Sequence, residues 1–431
     1  MKKRYQIDKQ RAVQKFRQLA NQAQQPIQLV IPLKEVVLLI QRGLMNLAMA
    51  AFTKVVEEMM GLEVTALVGP KNQADATRVN QRWGSEPGYC VVGGQKIPLQ
   101  RPRVRDRKKR EVPLGSYELL QQASLMEESV WRKMMNGLTT RRYSEVVKEL
   151  EQAYGIRKST ISEHFIRASR QRLDKLLARP LDKYALCAMM IDGTCFDDQQ
   201  LITVLGITVH GHKVILGLRQ GATENATVVK QLLADLRERG VDFEVPRLYV
   251  LDGGKALYAG VRHTAAKAAL IQRCQVHKIR NVADHLSQEH QGHVRQKMHS
   301  AYAMRDYNDA RRILDCLHRE LLQLNPSAAR SLEEGREETL TVHRLRVPPM
   351  LRTSLASTNL IESTFSMVET VCRNVKHWQG GDQYLRWVGS ALLCAESRWN
   401  RVHGYREIPI LVKELELAVL KGIPLRHAVV A

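Results

Sequence analysis

Between residues 184 and 283, apolar runs of strand length alternate with amphipathic segments, and this pattern constrains the fold more than any other feature. Residues 184–191 form an apolar run that stops at Asp192. Residues 201–209 and 213–218 read as two further strands joined by a tight turn at His210-Gly211-His212. Residues 223–239 have helical periodicity and end at Gly240. A strand over 247–251 stops at Asp252, a helix follows over 255–267, a short strand covers 270–274, and another helix starts near 276. The order β-β-β-α-β-α-β-α predicts an α/β fold that starts with three antiparallel strands and continues through crossovers.

The flanking sequence has a different texture. Residues 1–25 are polar and read as an arm or a loose helix, while 33–60 has helical spacing. Residues 83–104 carry alternating apolar positions around Gly93-Gly94, a hairpin signal. That hairpin runs into a segment with seven basic residues in ten, Arg101 to Arg110. Arg101, Arg103, Arg105 and Arg107 alternate, so a strand would set them on one face suited to phosphates. Residues 115–180 read as helical. Within them a helix over 144–153, Gly155, and a second helix capped by Thr160 with Glu163 make a helix-turn-helix pattern. Ile161 and Phe165 would face inward, and Arg157, Lys158, Ser159, Ser162 and His164 would meet a DNA groove. Residues 278–355 are polar and helical, and 357–371 and 383–398 are again helical. The expected organisation is a helical region (1–70), a basic β-hairpin region (71–112), a helix-turn-helix domain (113–182), a first part of the α/β core (183–277), a helical insertion (278–355), a second core part (356–400) and a tail (401–431).

The chain carries 66 basic and 44 acidic side chains, a net charge of +22, clustered as described. Such an excess suits a polyanion, most simply nucleic acid. Seven cysteines, none at CxxC spacing, give no disulfide framework and fit a reducing cytosol. The most apolar stretch, 36–56, is broken by Gln41, Arg42, Asn46 and Lys54, so no membrane span is expected.

Asp192 and Asp252 each close an apolar run, and each precedes a glycine. Taken singly, either reads as an Asp-Gly turn. Two on successive sheet segments point to a pair of carboxylates at the end of a sheet. Glu362, in Ser357-Thr358-Asn359-Leu360-Ile361-Glu362-Ser363, has two readings: a third acid, or a cap for its own helix at capping-box distance from Asn359. Three acids suit two Mg²⁺ ions, which take hard oxygen ligands and can promote phosphodiester cutting and joining.

Together these residues resemble the Mutator-type transposases of bacterial insertion sequences over nearly the whole chain. The carriers are Ile191-Asp192-Gly193-Thr194, Gly206-Ile207, Val250-Leu251-Asp252-Gly253-Gly254, the stretch Arg273-Cys274-Gln275-Val276-His277-Lys278-Ile279-Arg280-Asn281, and Ser357 to Ser363. The resemblance implies an RNase H-like core, interrupted by an all-helical insertion and holding an Asp-Asp-Glu triad. On matching positions the triad is Asp192, Asp252 and Glu362, at intervals of 252 − 192 = 60 and 362 − 252 = 110 residues. It implies two Mg²⁺ ions, for which Mn²⁺ could substitute. It also implies binding to the element's terminal inverted repeats and to target DNA, a homodimer on DNA, 3′-OH strand transfer, circular intermediates and a place at the bacterial nucleoid in the cytoplasm.

Several side readings follow. Cys274 and His277 have no second Cys/His pair at zinc spacing, so by similarity they are signature residues near the active site that pack or position DNA. Arg373, on from Glu362 along one helix, meets DNA or solvent. Trp378 is expected to pack, and Asp197 and Asp198 to form an exposed acidic turn. Two rival functions remain open: an RNase H-like nuclease that does not join strands, and a non-catalytic regulator derived from a transposase.

Overall fold

The computed structural model describes residues 2–421 apart from 23–30, 42–43, 74–77, 93–94, 122, 138–157, 197–198, 222–224, 374, 376–377 and 379–381. Contacts divide the chain into two units, Met1–Ala168 and Ser169–Ala431.

The first unit opens with helices α1 (Lys2–Gln22), α2 (Leu33–Gln41) and α3 (Leu44–Val68). Strands β1 (Asn80–Val92) and β2 (Gln95–Asp106) pair antiparallel, with Val92 opposite Gln95. The turn expected at Gly93-Gly94 lies outside the described residues. A short β3 (Glu111–Val112) completes the sheet. Ile97, Leu99 and Val104 join Val56, Met60 and Val64 of α3 in one core. Helix α4 (Gly115–Leu120) begins on the buried Glu63, whose carboxylate accepts from the Gly115 N–H at 2.7 Å and the Ser116 N–H at 2.9 Å. A carboxylate there satisfies amides that the helix itself leaves unpaired. After α5 (Ala123–Met135) the first helix of the expected helix-turn-helix, Gly155 and Arg157 lie outside the described residues. The second helix is α6 (Lys158–Leu177), in which Ile161 and Phe165 are buried. Thr160 lies inside its first turn and not at its cap.

The second unit holds the α/β pattern. Strands β4 (Leu186–Phe196), β5 (Gln199–Thr208), β6 (Lys213–Gln220), β7 (Arg247–Leu251) and β8 (Ala269–Arg273) form one sheet in the order β6-β5-β4-β7-β8. The first three are antiparallel, and β7 and β8 run parallel to β4. The expectation that β4 stops at Asp192 is corrected. Its parallel ladder with β7 ends at Ile191, but its antiparallel ladder with β5 continues to Phe196 opposite Gln199. One strand therefore outlasts one of its two partners.

Crossover helices α7 (Ala226–Glu238) and α8 (Lys255–Ala265) cover one face. Asn225 starts α7 by accepting the Thr227 N–H at 2.9 Å. Leu232, Leu236, Leu257 and Val261 pack on Met189, Ile191, Tyr249, Leu251 and Ile271. Each such fully buried side chain contributes roughly 1.5–3 kcal/mol. Because strand side chains alternate, Ala188, Met190 and Asp192 face the other way. That opposite face meets α16 (Asn359–Cys372), α17 (Gln383–Glu396) and α18 (Ile408–Leu420). The segment from 401, expected only as a tail, thus contains a helix that buries Ile408, Leu411, Leu415 and Ala418.

Between β8 and α16 the chain is helical in α9 (Gln275–Ala283), α10 (Gln288–Ala303), α11 (Tyr307–Leu324), α12 (Pro326–Glu333), α13 (Arg336–Thr339), α14 (Thr341–Arg344) and α15 (Pro349–Leu355). These helices have their own core, built on Val294, Met298, Leu314, Leu317, Leu321 and Leu332. Side chains tie them to the β8 edge. Gln272 donates to the Thr339 carbonyl at 2.9 Å and accepts the Val342 N–H at 3.0 Å, and Thr341 donates to the Ile271 carbonyl at 2.6 Å.

The other edge, β6, is closed differently. Arg179 and Glu396 form an ion pair at 2.7 Å, and together they take both polar groups of one edge residue. Glu396 accepts the Ile215 N–H at 2.7 Å, and Arg179 donates to the Ile215 carbonyl at 2.5 Å. The pair does what a neighbouring strand would do. Replacing Glu396 by Ala leaves a half-buried guanidinium and an edge N–H without their acceptor. We expect a loss of about 1–3 kcal/mol in a urea unfolding titration, with a shared carboxylate counting as the lost partner of both groups.

Candidate active site

The geometry of the site starts from strand register. Ile191 pairs with Leu251, and Leu251 pairs with Arg273. The next residue along each segment is Asp192, Asp252 and Cys274, so the three stand level where the two parallel ladders end. Neighbouring strands lie about 4.8 Å apart. The Cys274 N–H keeps this alignment by donating to the Leu251 carbonyl at 2.7 Å.

Asp192 is buried, and its Oδ1 accepts the Gly193 N–H at 2.8 Å. Burial pushes its carboxyl up to about 7, the Asp252 charge adds to this, and Glu362 adds further. Gly193 and His277 pull in the other direction. Directly across the ladder sits Thr203, whose hydroxyl is buried and has no hydrogen-bond partner among the described residues. Asp252 lies in the turn between β7 and α8, where its Oδ1 accepts the Gly254 N–H at 2.7 Å. Gly253 has φ +109°, and a Cβ there would lie 2.3 Å from Nε of Arg273. The glycine therefore admits a guanidinium side chain, which in turn donates to the Glu334 carbonyl at 3.0 Å. The Asp-Gly turn reading holds for neither acid in its simple form: Asp192 is inside a strand, and Asp252 leads into a helix.

Glu362 comes from the first turn of α16. The capping box with Asn359 does not form. The cap residue is Thr358, and its hydroxyl donates to Glu362 Oε1 at 2.6 Å. The same hydroxyl lies 3.3 Å from Cys274 Sγ and 3.4 Å from His277 Nδ1. His277 Nδ1 is 3.9 Å from Glu362 Oε1. Of these three groups, Glu362 Oε1 lies nearest the Thr358 hydroxyl.

Cys274 and His277 polarise one another. Burial pushes the Cys274 thiol up, but hydrogen bonds from His277 and Thr358 outweigh it and bring it below its ordinary value. Hydrogen bonding to Cys274 raises His277 to about 9 against the effect of burial, and the charges of Glu362 and Asp192 help. Ligand atoms of Cys274, His277 and Glu362 lie within 4.8 Å of one another. The sequence offered this Cys/His pair no further ligand; the fold brings Glu362 to it, with the Thr358 hydroxyl in their midst.

A match to the family model of the Mutator-family transposases covers residues 33–402 and so includes all three acids. The chain belongs to this family. The transposase of insertion sequence ISRM5 from Rhizobium meliloti is 23% identical over 371 residues, 85% of this chain and 92% of that protein. The transposase of IST2 from Acidithiobacillus ferrooxidans is 25% identical over 247 residues, 56% of this chain and 81% of that protein. The transposase of IS256 in transposon Tn4001 from Staphylococcus aureus is 22% identical over 362 residues, 80% and 89%. Membership implies an enzyme of DNA transposition. No helix among the described residues is long and apolar enough to cross a membrane.

The remaining expected site residues are placed as follows. Arg101, Arg103 and Arg105 alternate along β2 as expected, but two of them are already paired. Arg101 meets Glu86 at 2.8 Å and also Glu111, and Arg103 meets Glu111 at 3.0 Å and Glu86 at 3.4 Å. Arg105 lies over the Trp83 ring at 4.5 Å, and Arg107 donates to the Arg78 carbonyl at 2.9 Å. The side chains of Lys158 and Ser159 lie outside the described residues. Ser162 and His164 were expected to be exposed and are half-buried. His164 contacts Arg167 at 2.9 Å, and burial, then Arg167, lowers its basicity. Arg373 is exposed at the end of α16, on the face that carries Glu362. Trp378 packs edge-to-face on Tyr384, with ring centroids 5.3 Å apart. Phe196 falls at the end of β4, and Asp197 and Asp198 lie outside the described residues.

Sequence reasoning passed over Thr358 and Arg273. The signal for Thr358 was present: it precedes Glu362 by four residues, one helical turn. A Thr358→Val substitution keeps the shape and removes the hydroxyl. We expect it to lower metal-dependent DNA cutting about 10- to 100-fold, as loss of a partner that orients a ligand does. Thr358→Ser should retain most activity, and activity equal to the parent in the valine protein would show that Glu362 needs no such support.

Proposed function

We propose that this family member is a DNA strand transferase whose Asp192, Asp252 and Glu362 hold divalent metal. The observation that carries the reading is the level placement of two carboxylates on adjacent strands with a helix-borne third acid, where burial first and the Asp252 charge second push Asp192 up to about 7. Burying acids together costs free energy unless a cation joins them. The all-oxygen donors suit Mg²⁺, or Mn²⁺ in its place, and the buried Thr203 hydroxyl across the ladder from Asp192 has no hydrogen-bond partner among the described residues. The sheet order, with three antiparallel strands followed by two parallel ones, supports an RNase H-like core.

When bound, two such ions would activate a water or 3′-hydroxyl and take up charge on the leaving oxygen. The protein's own part is positioning. Asp192 and Asp252 are fixed by strand register and by the amides of Gly193 and Gly254. Thr358 holds the Glu362 rotamer, and the cationic His277 offsets part of the acids' mutual repulsion. On this reading the substrates are the terminal inverted repeats of the element and a target duplex, engaged by a homodimer. Arg101, Arg103, Arg105 and Arg107, with Arg157, Lys158, Ser159, Ser162, His164 and Arg373, are the candidate DNA contacts.

Purified protein incubated with end DNA and Mg²⁺ should nick at the end and join the 3′-OH to target. Glu362→Gln keeps size and loses charge, so it should bind DNA yet neither cut nor join. Cutting at the parent rate by this variant would sink the triad. Cutting without joining by the parent would make the protein a nuclease. The acidity of Asp192 adds a second test. Below about 7 a proton competes with metal for this carboxylate, so apparent Mg²⁺ affinity should fall roughly tenfold per pH unit there and level off above. A calorimetric titration with the same affinity at pH 6 and pH 8 would contradict this.

A further inference from the structure

At the end of the sheet away from the acids, two segments distant in sequence come together. The β5–β6 turn contains Gly211, with φ +79°, and a Cβ there would lie 2.4 Å from Cβ of Tyr405. The Val402 N–H donates to the Gly211 carbonyl at 2.9 Å. This docking sets residues 398–406 against residues 208–213. Neither segment contains an acidic side chain, while together they hold Lys213, Arg398, Arg401 and Arg406 with His210, His212 and His403. All but the half-buried Lys213 are exposed.

What these cations rest on sets them apart. Arg401 lies over the Tyr405 ring at 4.8 Å and Arg406 at 5.8 Å, and Lys213 lies over Trp399 at 5.4 Å. Among the described residues, Lys213, Arg401 and Arg406 form no ion pair. The neighbouring acids are engaged elsewhere, Glu396 with Arg179 and Glu407 with the Leu351 N–H at 3.1 Å. An aromatic ring orients a guanidinium without neutralising it, so the charge stays available. On β2, by contrast, Glu86 and Glu111 already neutralise Arg101 and Arg103.

We propose that this patch is a second binding surface for the phosphate backbone of duplex DNA, separate from the point of cutting. Exposed guanidiniums held over aromatic rings, with no ion pair among the described residues, can match phosphate oxygens bidentately. Thr208, at the turn, pairs with Leu186, and Asp192 lies 192 − 186 = 6 residues further along β4. At about 3.3 Å per residue the patch is roughly 20 Å from the acids, about six base pairs of duplex. It would hold a stretch of duplex that the acids do not touch. This inference rests on the reading of the protein as a DNA-binding transposase.

The test uses the full-length protein without divalent metal, so that no cutting occurs. Fluorescence anisotropy would follow binding to an end-containing duplex of about 30 base pairs and to one trimmed to about five base pairs on either side of the end, too short to reach the patch, over a range of salt. An R401A/R406A protein should bind the long duplex at least tenfold more weakly at low salt. Its slope of log affinity against log salt should be shallower by about 1.8, for two lost phosphate contacts. R401K/R406K should recover most of that slope, and the short duplex should bind all three proteins alike. Unchanged affinity and slope for the long duplex in R401A/R406A would overturn the proposal. So would an equal loss on both duplexes, which would put the patch beside the cut. If the parent protein binds neither duplex, the DNA-binding reading falls together with the patch.

Discussion

The pairing of Ile191 with Leu251 and of Leu251 with Arg273 is the constraint on which the site depends. It sets Asp192, Asp252 and Cys274 level. Side chains alternate along a strand, so a slip of one residue between β4 and β7 would turn one acid into the α7/α8 core and leave the other outside. Met189, Ile191, Tyr249 and Leu251 prevent such a slip, because each would have to exchange its place in that core for the opposite face. The hydrophobic packing of one face therefore fixes the chemistry of the other.

The helical segment between β8 and α16 depends on the same strand. Gln272 and Thr341 bind it to the β8 edge, and the buried Lys278 reaches the Ser331 carbonyl at 2.6 Å and that of Glu334. Burial lowers the Lys278 amine to about 7, and the nearby Arg273 charge acts in the same direction. Arg273 in turn is fitted against Gly253 and Gly335, either of which would clash with it if it carried a Cβ. Residue 253 follows one acid and residue 335 belongs to the helical segment, so a single guanidinium joins the inserted helices to the turn that bears Asp252. Cys274 and Thr358 make a similar join to the helix that bears Glu362.

Much of this was legible in the sequence because strand length and helix periodicity are local. The runs ending at Ile191 and Leu251, the helix after Asn225 and the helical texture after residue 278 all appear where periodicity put them. The end of β4 was misread because a strand's length depends on two partners, and only one of them stops at Ile191. Asp192 and Asp252 were legible as acids that follow apolar runs. Their supports were not, since the contacts of Glu362 with His277, and of Gly253 with Arg273, join residues that no local pattern pairs. The half-burial of His164 and the ion pairs of Arg101 and Arg103 were not legible for the same reason: Glu127, Glu86 and Glu111 are neighbours only in space.

The Arg179–Glu396 clamp on Ile215 has a bearing on quaternary structure. A mixed sheet with a bare outer strand can grow sideways into a second copy of itself, and many dimers are built in that way. Here one outer strand has its Ile215 N–H and carbonyl occupied by side chains, and the other lies beneath α13 and α14. Two copies of this unit cannot merge their sheets through Ile215 without first breaking an ion pair. A dimer that leaves the clamp intact must be made at some surface other than this strand edge.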